Sequence, residues 1–154
     1  MEAINQTTIK KEILVEASQQ TAFEVFTQQM GQWWPTTHHI GKSPMTDCVL
    51  EPTNGGRWYS RHDDGSEADN GYVLNWDPYA RVVLAWQIDG DFQYKPDLIT
   101  EVEINFIPES PEQTRVTLEH RNLDKLAGGV KVISSMDEGW GFILNLYKKI
   151  ADEA

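Results

Sequence analysis

Cysteine is all but missing from this chain. Cys48 stands alone, so no internal disulfide can form and a reducing compartment is the expected setting. Positive charge is scarce as well. Against 24 Asp and Glu stand only 13 Lys and Arg, a formal charge of -11. That balance argues against a phosphate-backbone partner and against an anionic membrane surface. No apolar run approaches the ~18 residues of a membrane span, and the N-terminal MEAINQTTIKKE lacks the apolar stretch of a signal peptide. A soluble cytoplasmic protein is the expectation, with no nucleic acid partner and no membrane insertion. The marks of common chemistries are missing too: there is no G-x-G-x-x-G or P-loop after a strand, no G-x-S-x-G and no H-E-x-x-H. His38 and His39 are adjacent, which rarely aims both at one ion, and no third ligand stands at a helical or hairpin offset. No metal and no cofactor is expected.

What the chain does have is periodicity. In MDEGWGFILNLYKKIAD, Met136 to Asp152, the residues Met136, Trp140, Ile143, Leu144, Tyr147 and Ile150 fall within an arc of about 120°. This predicts an amphipathic helix, with Ser135 and Glu138 at capping-box spacing marking its start. Gly139 and Gly141 interrupt it, each at a cost of about 1 kcal/mol relative to alanine. Either tight backbone packing or space beside Trp140 would offset that cost. Thr8 to Val15 alternates as a half-buried strand. Ser18 can cap a helix running to about Met30, with Gly31 as its stop. Short segments divided by turn signals follow: Asp47–Glu51, Arg57–Arg61, Gly71–Trp76 and Val82–Ile88. Val102, Ile104 and Phe106, then Val116, Leu118 and His120, alternate with polar residues, which points to an antiparallel sheet with one wet face.

The order is a strand, one or two short helices, a run of hairpin strands and a long helix. With no repeat or linker, residues 1–154 are expected to form one domain of the α+β class. A strongly twisted sheet covered by one helix packs tightly along its middle and less tightly toward the ends, where a cavity would form.

In that order the stretches VEASQQTAFEVFT, WWPTTHH, LEPTNGGRWYSRHDDGS, GYVLNWDPYARVVLAWQI, TEVEINF, TRVTLEHRNL and DEGWGFILNLY cover most of the chain. Together they resemble the START-like (Bet v 1-like, SRPBCC) superfamily, and within it the group related to the activator of Hsp90 ATPase, often described as polyketide cyclase-like. The resemblance implies a helix-grip fold: a curved antiparallel sheet of roughly six to seven strands wrapped on a long C-terminal helix, with two short helices after the first strand. It also implies a cavity between sheet and helix that takes apolar or aromatic small molecules. It implies no single reaction, since the superfamily includes binders, cyclases, transfer proteins and co-chaperones. The short chain lacks the extra N-terminal domain of the eukaryotic activators, so a chaperone partner is not expected; a homodimer is left open.

The residues expected around that cavity are Trp34, His38, Tyr59, Trp86, Val102, Ile104, Leu118, His120, Trp140 and Leu144. Trp33 and Trp34 occupy an irregular stretch, where they either line a ligand entrance or anchor the loop. His38 is either a polar group at the mouth or a solvated loop residue. By parity His120 points toward the helix, as a hydrogen-bonded core residue or as a proton donor or acceptor to a ligand. Arg57, Tyr59 and Arg61 share one side of a strand; facing inward they would bind a carboxylate or carbonyl, facing outward they would be surface. No catalytic residue is assigned. The leading expectation is a small-molecule binder for an apolar or aromatic ligand. The alternatives are a cyclase or dehydratase of polyketide-like substrates and a chaperone-related protein-interaction module.

Overall fold

Apolar residues recurring every second position build the walls of this fold, and those recurring every third or fourth build its plug. In the computed structural model, which describes residues 8–35, 43–90, 93–126 and 128–154, strand β1 (Ile9–Val15) is followed by helices α1 (Gln19–Gln28) and α2 (Met30–Trp33). Six strands come next: β2 (Met45–Leu50), β3 (Arg57–His62), β4 (Glu67–Asp77), β5 (Arg81–Trp86), β6 (Thr100–Ser110) and β7 (Gln113–Arg121). A turn of 3-10 helix (Leu123–Lys125) leads into the long helix α3 (Gly129–Glu153). The strands form one seven-stranded antiparallel sheet in the order β1-β7-β6-β5-β4-β3-β2. Consecutive strands pair as hairpins except at β1, which crosses by way of α1 and α2 to the far edge. This is the helix-grip fold.

Alternation decides which face each strand buries. Val102, Ile104 and Phe106 of β6, and Val116, Leu118 and His120 of β7, are at most 1% exposed. Their polar neighbours sit outside, where Arg121 pairs with Glu101, Glu103 and Glu119. Helix α3 buries Ile133, Trp140, Ile143, Leu144, Tyr147 and Ala151. Polar ties run along β1: Lys11 to Asp137, Lys148 Nζ to the Leu14 carbonyl and the Glu16 N–H to Asp152. Around its C-terminal half packing is dense. The Tyr147 ring lies 5.1 Å from Phe26 and 5.3 Å from Trp33, and its hydroxyl donates to the Ala22 carbonyl at 2.7 Å.

Two expected boundaries move. Helix α3 starts at Gly129 rather than Met136, and Ser135 lies inside it. Gly128 supplies the positive φ of the cap, and burial of Ile133 extends the apolar stripe a turn and more upstream, overriding the modest propensity of the two serines. Ser18 does cap α1, accepting from the Thr21 N–H at 3.2 Å. That helix ends at Gln28, however, and Gly31 sits within α2, where any Cβ would strike the Asp47 side chain of β2.

Candidate functional site

A row of inward positions crosses three strands beneath the first half of α3. Trp58 pairs with Gly71, and Gly71 with Trp86. Across Gly71 the two indoles meet with centroids 5.5 Å apart. A Cβ there would run into the Ala85 carbonyl. Trp34, at the end of α2, stands edge-on to Trp58 at 5.8 Å. Trp140 of α3 lies 5.9 Å from Trp34 and 5.7 Å from Trp86. Four indoles therefore close a ring, at separations and tilts that suit aromatic quadrupoles.

His120 lies behind this ring, fully buried against Trp86 and Trp140. The Trp140 indole N–H donates to Nδ1 at 3.1 Å, Nε2 is 2.8 Å from Thr100 Oγ1, and that hydroxyl is 3.2 Å from the Trp86 carbonyl. An indole only donates and a carbonyl only accepts, so every proton in the chain has one place to be. The imidazole is neutral, with its hydrogen on Nε2. Burial pushes its pKa down to about 3. Both nitrogens are committed, so His120 is a hydrogen-bonded core residue with no free position for a ligand proton.

Beside the ring opens a cavity of about 500 Å³, within the ~300–1,000 Å³ of small-molecule sites. Asn70, Trp86, Ile88 and the Asp89–Gly90 turn form its sheet side. The helix side is Lys131 and Val132, Ser135 and Met136, Gly139 and Trp140, then Ile143, a single face of α3. Trp34 completes the wall. Nothing stands within 4 Å of where a Gly139 Cβ would be. The missing side chain thus recesses the wall and permits no closer backbone contact. Asp89 is paired, with Oδ2 2.8 Å from Lys95 Nζ and Oδ1 accepting from the Gly90 N–H. Among the described residues, no group of three His, Cys, Asp or Glu is placed to hold a metal ion. Cys48 is buried, its thiol pushed up to about 12.

The expected cavity residues separate into groups. Trp34, Trp86 and Trp140 come together on the wall. Val102, Ile104, Leu118 and Leu144 are buried in the packed core and lie off the cavity surface. Tyr59 is on the opposite face. Alternation along β3 turns Trp58, Ser60 and His62 inward, leaving Tyr59 under the Arg57 guanidinium at 4.0 Å, with its hydroxyl bonded by Arg61. Arg57 itself pairs with Glu67 and Asp69. His38 lies outside the described residues. Trp33 anchors the core, its indole N–H donating to the Val25 carbonyl at 2.8 Å. Missing from the expected set were Asn70, hidden by a bulge, and the upstream turns of α3, hidden by the reading of Ser135 as a cap.

Comparison with known proteins supplies the lineage. The family described as Activator of Hsp90 ATPase homolog 1-like protein matches residues 16–151. The chain belongs to that family. This family member is 33% identical to the anthrahydroquino-γ-pyrone synthase Txn09, over 95% of this chain and 97% of that one, with a TM-score of 0.68. It is 27% identical to CalC from Micromonospora echinospora, a self-sacrificing resistance protein, over 95% and 94% of the two chains, TM-score 0.68. The Aha1 dimer from Colwellia psychrerythraea shares the fold at 16% identity and TM-score 0.67, over 96% and 97%. No curated protein matches. No helix among the described residues is long and apolar enough to cross a membrane.

Proposed function

We propose that this family member binds a flat, mainly apolar small molecule in the cavity beside the four-indole ring. The observation that carries the reading is the wall: about 500 Å³ of space faced by Trp34, Trp86 and Trp140, with Ile88, Val132 and Ile143 between them. Indoles offer large rigid surfaces at little cost in lost rotamer freedom. Burying about 200 Å² of apolar ligand surface contributes roughly 5 kcal/mol before ordering costs.

Titration with the hydrophobic fluorophore 8-anilinonaphthalene-1-sulfonate tests this. Binding is expected to saturate, to quench tryptophan emission and to weaken about tenfold in Gly139→Phe, whose ring would enter the cavity. Uptake that never saturates, or that ignores Gly139→Phe in a variant of unchanged melting temperature, would defeat the reading.

Similarity to a synthase favours a second reading, in which the same cavity folds a flexible polycarbonyl chain for cyclisation. With His120 engaged on both sides, catalysis there would come from orientation of the reacting carbons. Turnover of a polycarbonyl substrate distinguishes it from binding alone.

A further inference from the structure

Asn70 is the extra residue of a β-bulge. Where β3 meets β4, Trp58 pairs with Gly71 and Tyr59 with Asp69, so Asn70 between them has no partner on β3. Bulges re-aim side chains, and this residue joins the cavity wall although only 4% of it is exposed. Its main-chain carbonyl is used, accepting from the Gln87 N–H at 2.9 Å. Its side-chain amide, with two N–H donors and one carbonyl acceptor, makes no hydrogen bond to any described residue. Several groups nearby are engaged, and Lys131 and Ser135, the other polar side chains of the wall besides Asp89, are exposed on α3. Trp86 Nε1 donates to the Ile88 carbonyl, Gln87 Nε2 to the Pro96 carbonyl, and Asp89 holds Gly90 and Lys95. Burying an amide that pairs with no described residue is costly. Leucine would fit the same outline without that cost.

We infer that Asn70 is the specificity-determining group of the cavity, pairing with a hydroxyl or carbonyl on the edge of an aromatic ligand whose ring system rests on the indoles. This assignment rests on the proposed binding function and names the ligand chemistry within it. An amide reads both kinds of edge: its N–H donates to an aryl ketone, and its carbonyl accepts from a phenol.

The test compares naphthalene, 2-naphthol and 2-acetylnaphthalene by tryptophan quenching at pH 8. Wild type is expected to bind the two substituted rings about tenfold more tightly than naphthalene. Asn70→Leu should abolish that preference while holding naphthalene within about twofold, and without ligand it should melt no lower than wild type. Asn70→Asp presents acceptors alone, so it should keep the preference for 2-naphthol and lose that for 2-acetylnaphthalene. This second variant decides the matter even if the first is poorly folded. A preference that persists in both variants overturns the assignment and leaves the cavity reading intact. Failure of wild type to bind naphthalene saturably overturns both.

Discussion

The indole N–H of Trp140 points at Nδ1 of His120 from 3.1 Å, tying the middle of the long helix to the last strand of the sheet. This bond sets the tautomer of a histidine that carries no charge in the native state. Its folded pKa, about 3, lies below the ordinary 6.5. The stability it contributes is therefore complete above pH 6.5 and is lost as pH falls toward 3, because the unfolded chain takes up a proton that the folded one refuses. Between pH 7 and pH 5 the loss comes to about 2 kcal/mol. In His120→Gln, which can still accept from Trp140 and has no charge to gain, this component should vanish. Urea denaturation of both proteins across that range is the check; parallel curves would count against the arrangement.

Tyr147 closes the other end of the interior. Its hydroxyl reaches the Ala22 carbonyl at 2.7 Å, and burial raises its pKa above the usual phenol value. Tyr147→Phe should cost about 1 kcal/mol, the net worth of one hydrogen bond, and Tyr147→Ala about 3–5 kcal/mol, since a ring packed on Phe26 and Trp33 is lost. Calorimetry gives both values. A phenylalanine variant as damaging as alanine would show that the ring contacts are not what matters.

Two glycines should respond in opposite directions to the same substitution. Gly139→Ala adds a methyl in open space and removes a helix-interior glycine, so stability should rise by about 0.5–1 kcal/mol. Gly71→Ala drives a methyl into the Ala85 carbonyl and should cost about 1–3 kcal/mol. Melting temperatures moving the same way for both would overturn this account of the cavity wall.

On the outer face, Arg81 foremost, with Asn105 and Arg121 also bonding to it, holds the Glu103 carboxyl down to about 2. Stability from this group is present above pH 4.5 and lost as pH falls toward 2, a window that lies lower than that of His120 and overlaps it between pH 4.5 and 3. The cluster is partly solvated, so Arg121→Ala should cost only about 1 kcal/mol and less in high salt. Denaturation at low and high ionic strength measures it. A cost that salt leaves untouched would mean that Arg121 acts through packing.

Much of the fold was legible because its signals are local. Val102, Ile104 and Phe106 reveal their facing by period alone, and Trp140, Leu144 and Tyr147 by their spacing on a helix. The start of α3 was not, since Ser135 satisfies a capping rule while burial of Ile133, a long-range effect, carries the helix on upstream. Tyr59 was ambiguous for a similar reason. Its strand had a known alternation, but only pairing with β2 and β4 settles which side meets the core. Asn70 left no sign at all, because a bulge is a property of two strands in register, and one strand read by itself has no register.

By itself the sequence determined the order of elements, the antiparallel sheet with one wet face and the apolar stripe that plugs it, since each follows from the period of side chains along a single stretch of backbone. Tertiary structure alone decided that Trp34, Trp58, Trp86 and Trp140 meet, that Gly71 lies against the Ala85 carbonyl, and that the amide of Asn70 beside them pairs with no described residue. Those outcomes depend on distances between residues far apart in the chain, and such distances exist only once sheet and helix have closed on each other.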